Sequence, residues 1–244
     1  MDCRLLIDPP EPGAWNMALD EVLLEQAGRR PALCWRFYGW TEPTLSLGYF
    51  QAFGDRSRHP ASRQCPLVRR LTGGGAILHD QEITYSLAVP AENRLARGRD
   101  QLYRLVHSAL IAALADFSVA ATLCAPTAPK GEEPFLCFQR RAPGDVLIGS
   151  VKIAGSAQRR RRGAVLQHGS VLLRRSTAAP ELPGLEDLRG KPIARQEFLP
   201  AWLNRLAHAL DLHFLSAVVS EQEKQAAHEI VAQRYSQSSW NALR

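Results

Sequence analysis

Arg69-Arg70-Leu71-Thr72-Gly73-Gly74-Gly75-Ala76-Ile77-Leu78-His79-Asp80 joins two apolar runs through three consecutive glycines. Glycine loses more backbone freedom on folding than any other residue, so such a run is costly in an ordered chain. Two arrangements make use of it. If residues 66–70 form a strand, the glycines form a tight hairpin turn into the next strand. Alternatively, the backbone is left bare because a ligand lies directly against it, and the loop is one wall of a binding site. The stretch by itself leaves both open.

The flanking sequence reads as strands and helices in groups. Residues 33–38 and 44–48 alternate polar and apolar, which predicts two strands joined as a hairpin. Residues 3–7 and 83–89 read as further strands, and residues 16–26 as an amphipathic helix. Residues 100–117 hold Leu102, Leu105, Val106, Ala109, Leu110, Ala113 and Leu114 at helical spacing, with Asp100 as the candidate cap. A strand at 119–123 and a Pro-rich loop at 125–134 follow. Residues 145–148, 151–158 and 164–173 predict a three-stranded meander, and residues 181–191 read as irregular. A helix at 198–210, a strand at 213–219 and a helix at 221–235 capped by Ser220 complete the pattern. Strands grouped between helices argue for an α+β fold of mixed and antiparallel sheets packed with helices, rather than a doubly wound one. No linker interrupts residues 1–244, so the chain reads as one domain.

Composition narrows the classes further. With 244 residues, 45% hydrophobic and 22% charged, the chain is an ordinary globular one. No apolar run is long enough for a membrane helix, and the first residues lack the features of a signal peptide, so the expected location is cytoplasmic. The five cysteines, Cys3, Cys34, Cys65, Cys124 and Cys137, show no metal or disulfide spacing. The net charge of +6 suggests an acidic partner. Arg159-Arg160-Arg161-Arg162 is either a solvated hairpin turn or a docking patch for such a partner. No aromatic residues interleave with these arginines, which argues against nucleic acid.

The glycine stretch resembles the R-R-x-[ST]-G-G-x-A-x-x-H-D signature of the biotin/lipoate protein ligase and octanoyltransferase superfamily. Four more stretches match in the same order: Asn16-Met17-Ala18-Leu19-Asp20-Glu21, residues 36–51, Lys152-Ile153-Ala154-Gly155-Ser156-Ala157-Gln158 and Gln167-His168-Gly169-Ser170. The resemblance implies the biotin/lipoate ligase catalytic fold, which is similar to class II aminoacyl-tRNA synthetases. Gly75 resembles the ATP-dependent ligases, because LipM-type octanoyltransferases often have Arg there. His79-Asp80-Gln81-Glu82-Ile83-Thr84-Tyr85-Ser86 instead looks like the LipM-type H-D-x-E-[LI]-T-Y-S. Cys137-Phe138, placed before Lys152 as in LipM-type enzymes, tips the resemblance to that branch. Gln139-Arg140-Arg141-Ala142-Pro143 departs from its usual acidic and Pro-Ser-rich sequence, while Asp145 falls where it has an acidic residue.

What the resemblance implies is octanoyl transfer from octanoyl-acyl carrier protein to a lysine of a lipoyl domain, through a thioester on Cys137. The acceptors would be the glycine cleavage H protein or a 2-oxoacid dehydrogenase E2. No metal or cofactor is expected, whereas the ligase alternative would need ATP and Mg2+. A third reading is a non-catalytic protein that binds acyl groups or lipoyl domains. Thiols near their ordinary pKa are mostly protonated at neutral pH, so the nucleophile needs a nearby cation or base, and Lys152 is the candidate. Arg70, Gly73, Gly74, Gly75, His79, Gly155 and Ser156 are the expected substrate-binding residues. Backbone N–H groups near Gly155 or Gly75 would face the oxyanion. His79 either donates a hydrogen bond near the acyl carbonyl or holds the loop.

Overall fold

The structure is a computed structural model that describes residues 1–30, 32–126 and 133–244. Most of the Pro-rich stretch, residues 127–132, lies outside the described residues. In chain order the elements are β1 (Asp2–Glu11), α1 (Gly13–Arg29), β2 (Leu33–Trp40), β3 (Thr44–Leu47), β4 (Leu67–Arg69), β5 (Ile77–His79), β6 (Glu82–Pro90), α2 (Arg99–Asp116) and β7 (Thr122–Leu123). They continue with β8 (Val146–Ile148), β9 (Val151–Arg161), β10 (Ala164–Leu172), α3 (Leu185–Arg189), α4 (Arg195–Leu210), β11 (His213–Ser216), α5 (Glu221–Ile230) and α6 (Ser238–Asn241).

Period-2 alternation gives each central strand two faces, and both are covered. The large sheet runs β11-β1-β2-β6-β10-β9-β8-β7, parallel from β11 to β2 and antiparallel from there on. On one face Trp35, Phe37, Ile83 and Leu87 bury against Val106 and Leu110 of α2 and Trp202 of α4. On the other, Tyr38, Ala88 and Leu166 meet Met17, Leu19 and Leu23 of α1, with α5 behind it. Each fully buried large apolar side chain contributes about 1.5–3 kcal/mol. The mixed sheet between helices matches the expected α+β architecture.

The hairpin expected of residues 33–38 and 44–48 does not form. β2 lies inside the large sheet, while β3 is the middle strand of a separate sheet, β4-β3-β5. The glycine stretch is likewise not a hairpin turn. β4 runs parallel to β3 on one side and β5 antiparallel on the other, so the loop crosses the end of β3. Local alternation carries no information about which strand is the neighbour, and here the pairing partners are distant in sequence.

Smaller differences follow from local chemistry. Gly98, not Asp100, precedes the first turn of α2, and Asp100 sits inside that turn. The expected strand at 119–123 keeps two residues, and residues 181–191 contain the short α3. Ser220 caps α5 as expected, with Glu223 completing a capping box, and the chain continues as a π-helical turn through Tyr235. The meander forms, but Arg159, Arg160 and Arg161 extend β9. The turn itself is Arg162-Gly163, with φ of 49° and 78°, the left-handed pair that a two-residue hairpin requires.

Candidate active site

A cavity enclosing about 500 Å³, its open mouth included, lies where the small sheet and the glycine loop meet β6, β9 and β10. Its floor is a row across the large sheet. Gly155 on β9 is opposite Ser170 on β10, Ser170 opposite Thr84 on β6, and Thr84 opposite Tyr38 on β2. At about 4.8 Å per strand step, the row spans about 14 Å from Gly155 to Tyr38. Several polar side chains line it, yet they are engaged with one another. Thr84 Oγ1 accepts the Trp40 indole N–H at 2.8 Å, Ser170 Oγ donates to Glu82 at 2.7 Å, and Tyr38 Oη donates to Asp20 at 3.0 Å. The slot therefore presents mainly carbon.

At the Gly155 end, Cys137 opens a single 3-10 turn, Cys137–Gln139. Its N–H bonds the Ala76 carbonyl at 2.7 Å, and the Ala76 N–H bonds Phe135 at 3.2 Å, so the exit of the glycine loop is laced to the cysteine segment. Lys152 Nζ lies 3.6 Å from Cys137 Sγ, 3.4 Å from the Cys137 carbonyl and 2.8 Å from Asp145 Oδ2. An ammonium has three N–H donors, and three acceptors surround it. Both members of the ion pair are buried, Lys152 at 5% exposure and Asp145 at 1%. A buried pair is tolerated only with further hydrogen bonds. Here Asp145 accepts from Tyr103 Oη and from the Ala142 N–H, each at 2.7 Å. Gly155 is their seat: a Cβ there would stand 2.6 Å from Lys152 Cε and 3.1 Å from Asp145 Oδ1.

The glycine loop is held from inside by Arg70. Its guanidinium donates to Thr72 Oγ1, to the carbonyl and hydroxyl of Ser46, and to the carbonyls of Gly73 (2.8 Å) and Gly75 (2.7 Å). Burial lowers its pKa to about 10. With its fork engaged on the loop, Arg70 shapes the wall of the cavity that it also lines. Gly73 and Gly74 line the cavity, and Gly74 has φ of +93°. Gly75 faces the other way, where the Arg140 guanidinium fills the place of a side chain, 1.8 Å from an ideal Cβ. His79 lines the slot with its ring. Nδ1 bonds Glu82 and Nε2 bonds Ser46, both at 2.8 Å, and the ring stacks on Trp40 at 3.9 Å. Burial lowers the His79 pKa. Both ring nitrogens are thus engaged.

Two buried networks were not foreseen from the sequence. In the first, Asp20 on α1 accepts from Arg36 (3.1 Å), Tyr38 (3.0 Å) and Ser86 (2.8 Å), and meets His168 at 3.3 Å. Burial alone would raise the Asp20 carboxyl pKa, but hydrogen bonding to His168 and the charge of Arg36 lower it. His168 Nε2 meets Thr72 Oγ1 at 2.7 Å, which ties the glycine loop to α1. In the second, a directed chain runs from Gln167 to Tyr85, Ser156, His107 and the Gly144 carbonyl. A carbonyl only accepts, so His107 Nδ1 carries the proton and Nε2 accepts from Ser156 Oγ at 2.7 Å. Burial lowers the His107 pKa to about 4. The Ser156 hydroxyl is thus committed to this chain. Tyr103 and His107, four apart on one face of α2, were the available signal.

The arginine run divides. Arg160 donates to the Ala96 carbonyl, Arg161 pairs with Glu21 at 2.8 Å, and Arg162 pairs with Glu25. Arg159 instead lies over the Tyr49 ring, 5.0 Å from its centroid.

The lipoyl protein ligase A/B catalytic domain family matches residues 12–180. An octanoyltransferase LipM of Symbiobacterium thermophilum is 34% identical, covering 98% of this chain and 97% of its own. Among solved structures, protein Ta0514 of Thermoplasma acidophilum with bound lipoic acid superposes with a TM-score of 0.81 at 22% identity, covering 99% of this chain and 100% of that one. A bipartite lipoate protein ligase of the same organism, studied with its E2 lipoyl domain, gives 0.77 at 22% identity, covering 100% and 98%. These two share the fold. The chain belongs to the lipoyl protein ligase A/B catalytic-domain family and stands with its LipM-type octanoyltransferases.

Proposed function

We propose that this chain moves an octanoyl group from octanoyl-acyl carrier protein to a lysine of a lipoyl domain through a thioester on Cys137, and that residues 1–244 act as one catalytic domain in the cytoplasm. The observation that carries the reading is Lys152 Nζ, 3.6 Å from Cys137 Sγ, at one end of a carbon-lined slot. An eight-carbon chain laid along that slot is stabilised by several kcal/mol, at about 0.8 kcal/mol per buried CH₂.

The cycle closes on protons already in the site. The Cys137 thiolate attacks the thioester carbon, and the carrier sulfur leaves with a proton from the Lys152 ammonium. The acceptor amine then attacks the acyl-Cys137 carbonyl, the amide forms, and the proton released by nitrogen returns to Lys152. Cys137 leaves as the thiolate that began the cycle. Two easier steps replace one in which two protein substrates must meet at a single carbon. Oxyanion donors in this scheme come from backbone N–H groups bordering Gly155 and the glycine loop. The scheme uses no metal, nucleotide or nucleic acid. The lipoyl-domain acceptor is supported by the archaeal relative studied with its own lipoyl domain.

The test is transfer without ATP. Incubated with octanoyl-acyl carrier protein and an apo lipoyl domain, the protein should add one octanoyl group to the domain. Lipoate with ATP and Mg2+ should leave the domain unmodified. Modification only under the second condition would replace the transferase with a ligase, and modification under neither would leave a non-catalytic binder.

A further inference from the structure

We infer that Asp145, backed by Tyr103, is the positioning residue that aims the Lys152 ammonium at the Cys137 sulfur. The inference rests on the transferase reading and adds residues whose contribution is made through Lys152 rather than on the acyl group.

The geometry is directional. Lys152 Nζ is held most closely by Asp145 Oδ2, at 2.8 Å, and reaches Cys137 Sγ at 3.6 Å with another of its donors. A lysine has four rotatable bonds, and fixing its tip requires a strong acceptor on one side. Asp145 is itself fixed at both oxygens. Oδ1 takes the Tyr103 hydroxyl, and Oδ2 takes the Ala142 N–H as well as the ammonium. Tyr103 is fixed in turn, because its oxygen accepts the Ser156 N–H at 3.3 Å and its ring packs on His107 at 4.2 Å. The Phe138 ring also lies beside the ammonium, with its centroid 5.2 Å from Nζ. Gly155 leaves the space in which the pair lies. The path from α2 through Tyr103 and Asp145 to Nζ is thus continuous, and every polar atom on it has a partner.

In the proposed cycle Lys152 surrenders a proton to the departing carrier sulfur and regains one from the acceptor amine. Asp145 holds the nitrogen in place between those two events.

The experiment is a double-mutant cycle on single-turnover acylation of Cys137, read by intact-protein mass. Asp145→Asn should lower the maximal acylation rate at least 10-fold while leaving the KM for the octanoyl carrier within 2-fold. Lys152→Ala should lower the rate by at least as much, and adding Asp145→Asn to it should cost no further loss, because residues acting through one group are not additive. Tyr103→Phe keeps the carboxylate and should lower the rate several-fold, so the inference stays testable if Asp145→Asn folds poorly. Multiplicative losses in the double variant, or an unchanged rate in both Asp145→Asn and Tyr103→Phe, would overturn it. If the wild type forms no Cys137 adduct, the transferase reading itself fails, which is a separate result.

Discussion

Gly155 acts by lacking a side chain, and its neighbours show why motif residues need geometry before they receive roles. Its place in Lys152-Ile153-Ala154-Gly155 suggested a backbone donor. In the structure it is the floor on which the Lys152–Asp145 pair rests. The meeting of Cys137 and Lys152 was legible because their spacing belongs to a recognisable pattern. Tyr103 and His107 were not, because polar residues on an amphipathic helix read as its solvent face until the strand they meet is known. His107 makes a prediction at this scale. Its pKa is lowered to about 4 from 6.5 by burial, so the fold holds it neutral. Between those two values the unfolded chain binds more protons than the folded one, and stability falls as pH falls. The full difference is on the order of 3 kcal/mol. It is fully present above about pH 6.5 and lost by about pH 4. Urea unfolding across this window should show that loss, and His107→Gln should flatten it. A wild-type curve level from pH 6.5 to 4 would contradict the assignment.

The glycine loop shows the limit of sequence reading at the scale of elements. The choice between hairpin turn and ligand wall could not be made locally, because the deciding fact is that β4 and β5 flank β3 from opposite sides. The loop must cross the end of β3, and it does so against Gly48, where a Cβ would lie 2.0 Å from the Gly74 carbonyl oxygen. Arg70 then holds the crossing by donating to Gly73 and Gly75. Arg70→Ala leaves buried carbonyls without donors, and the expected cost is about 2–4 kcal/mol in chemical denaturation. A loss under about 0.5 kcal/mol, typical of surface sites, would show that the loop holds its shape without the guanidinium. The third glycine, which favoured a ligase by resemblance, faces away from the slot and is covered by Arg140. Gly75 and the unusual residues 139–143 are therefore one local arrangement rather than two departures.

At the scale of the molecule, one sheet serves two purposes. The face toward α2 and α4 is apolar core crossed by the polar chain from Gln167 to His107. The face toward α1 carries the row from Gly155 to Tyr38 and the Asp20 network that ties it to the glycine loop. The grouping of strands and helices was enough to predict α+β, since periodicity reports which faces are covered. It could not report strand order or the separate small sheet, which depend on contacts between distant residues. The arginine run is also less available than it looked, because Arg161 and Arg162 are engaged by Glu21 and Glu25 of α1. That leaves Arg159 of the arginine run as the member set beside the aromatic Tyr49. No helix among the described residues is long and apolar enough to cross a membrane. The proposed transfer turns on Cys137 carrying the acyl group. Intact-protein mass spectrometry after mixing with octanoyl-acyl carrier protein, without acceptor, measures it directly. The account predicts a gain of one octanoyl group in the wild type, absent in Cys137→Ala. An adduct that persists in Cys137→Ala, or a wild type that transfers octanoyl to the acceptor without ever carrying it, would contradict it.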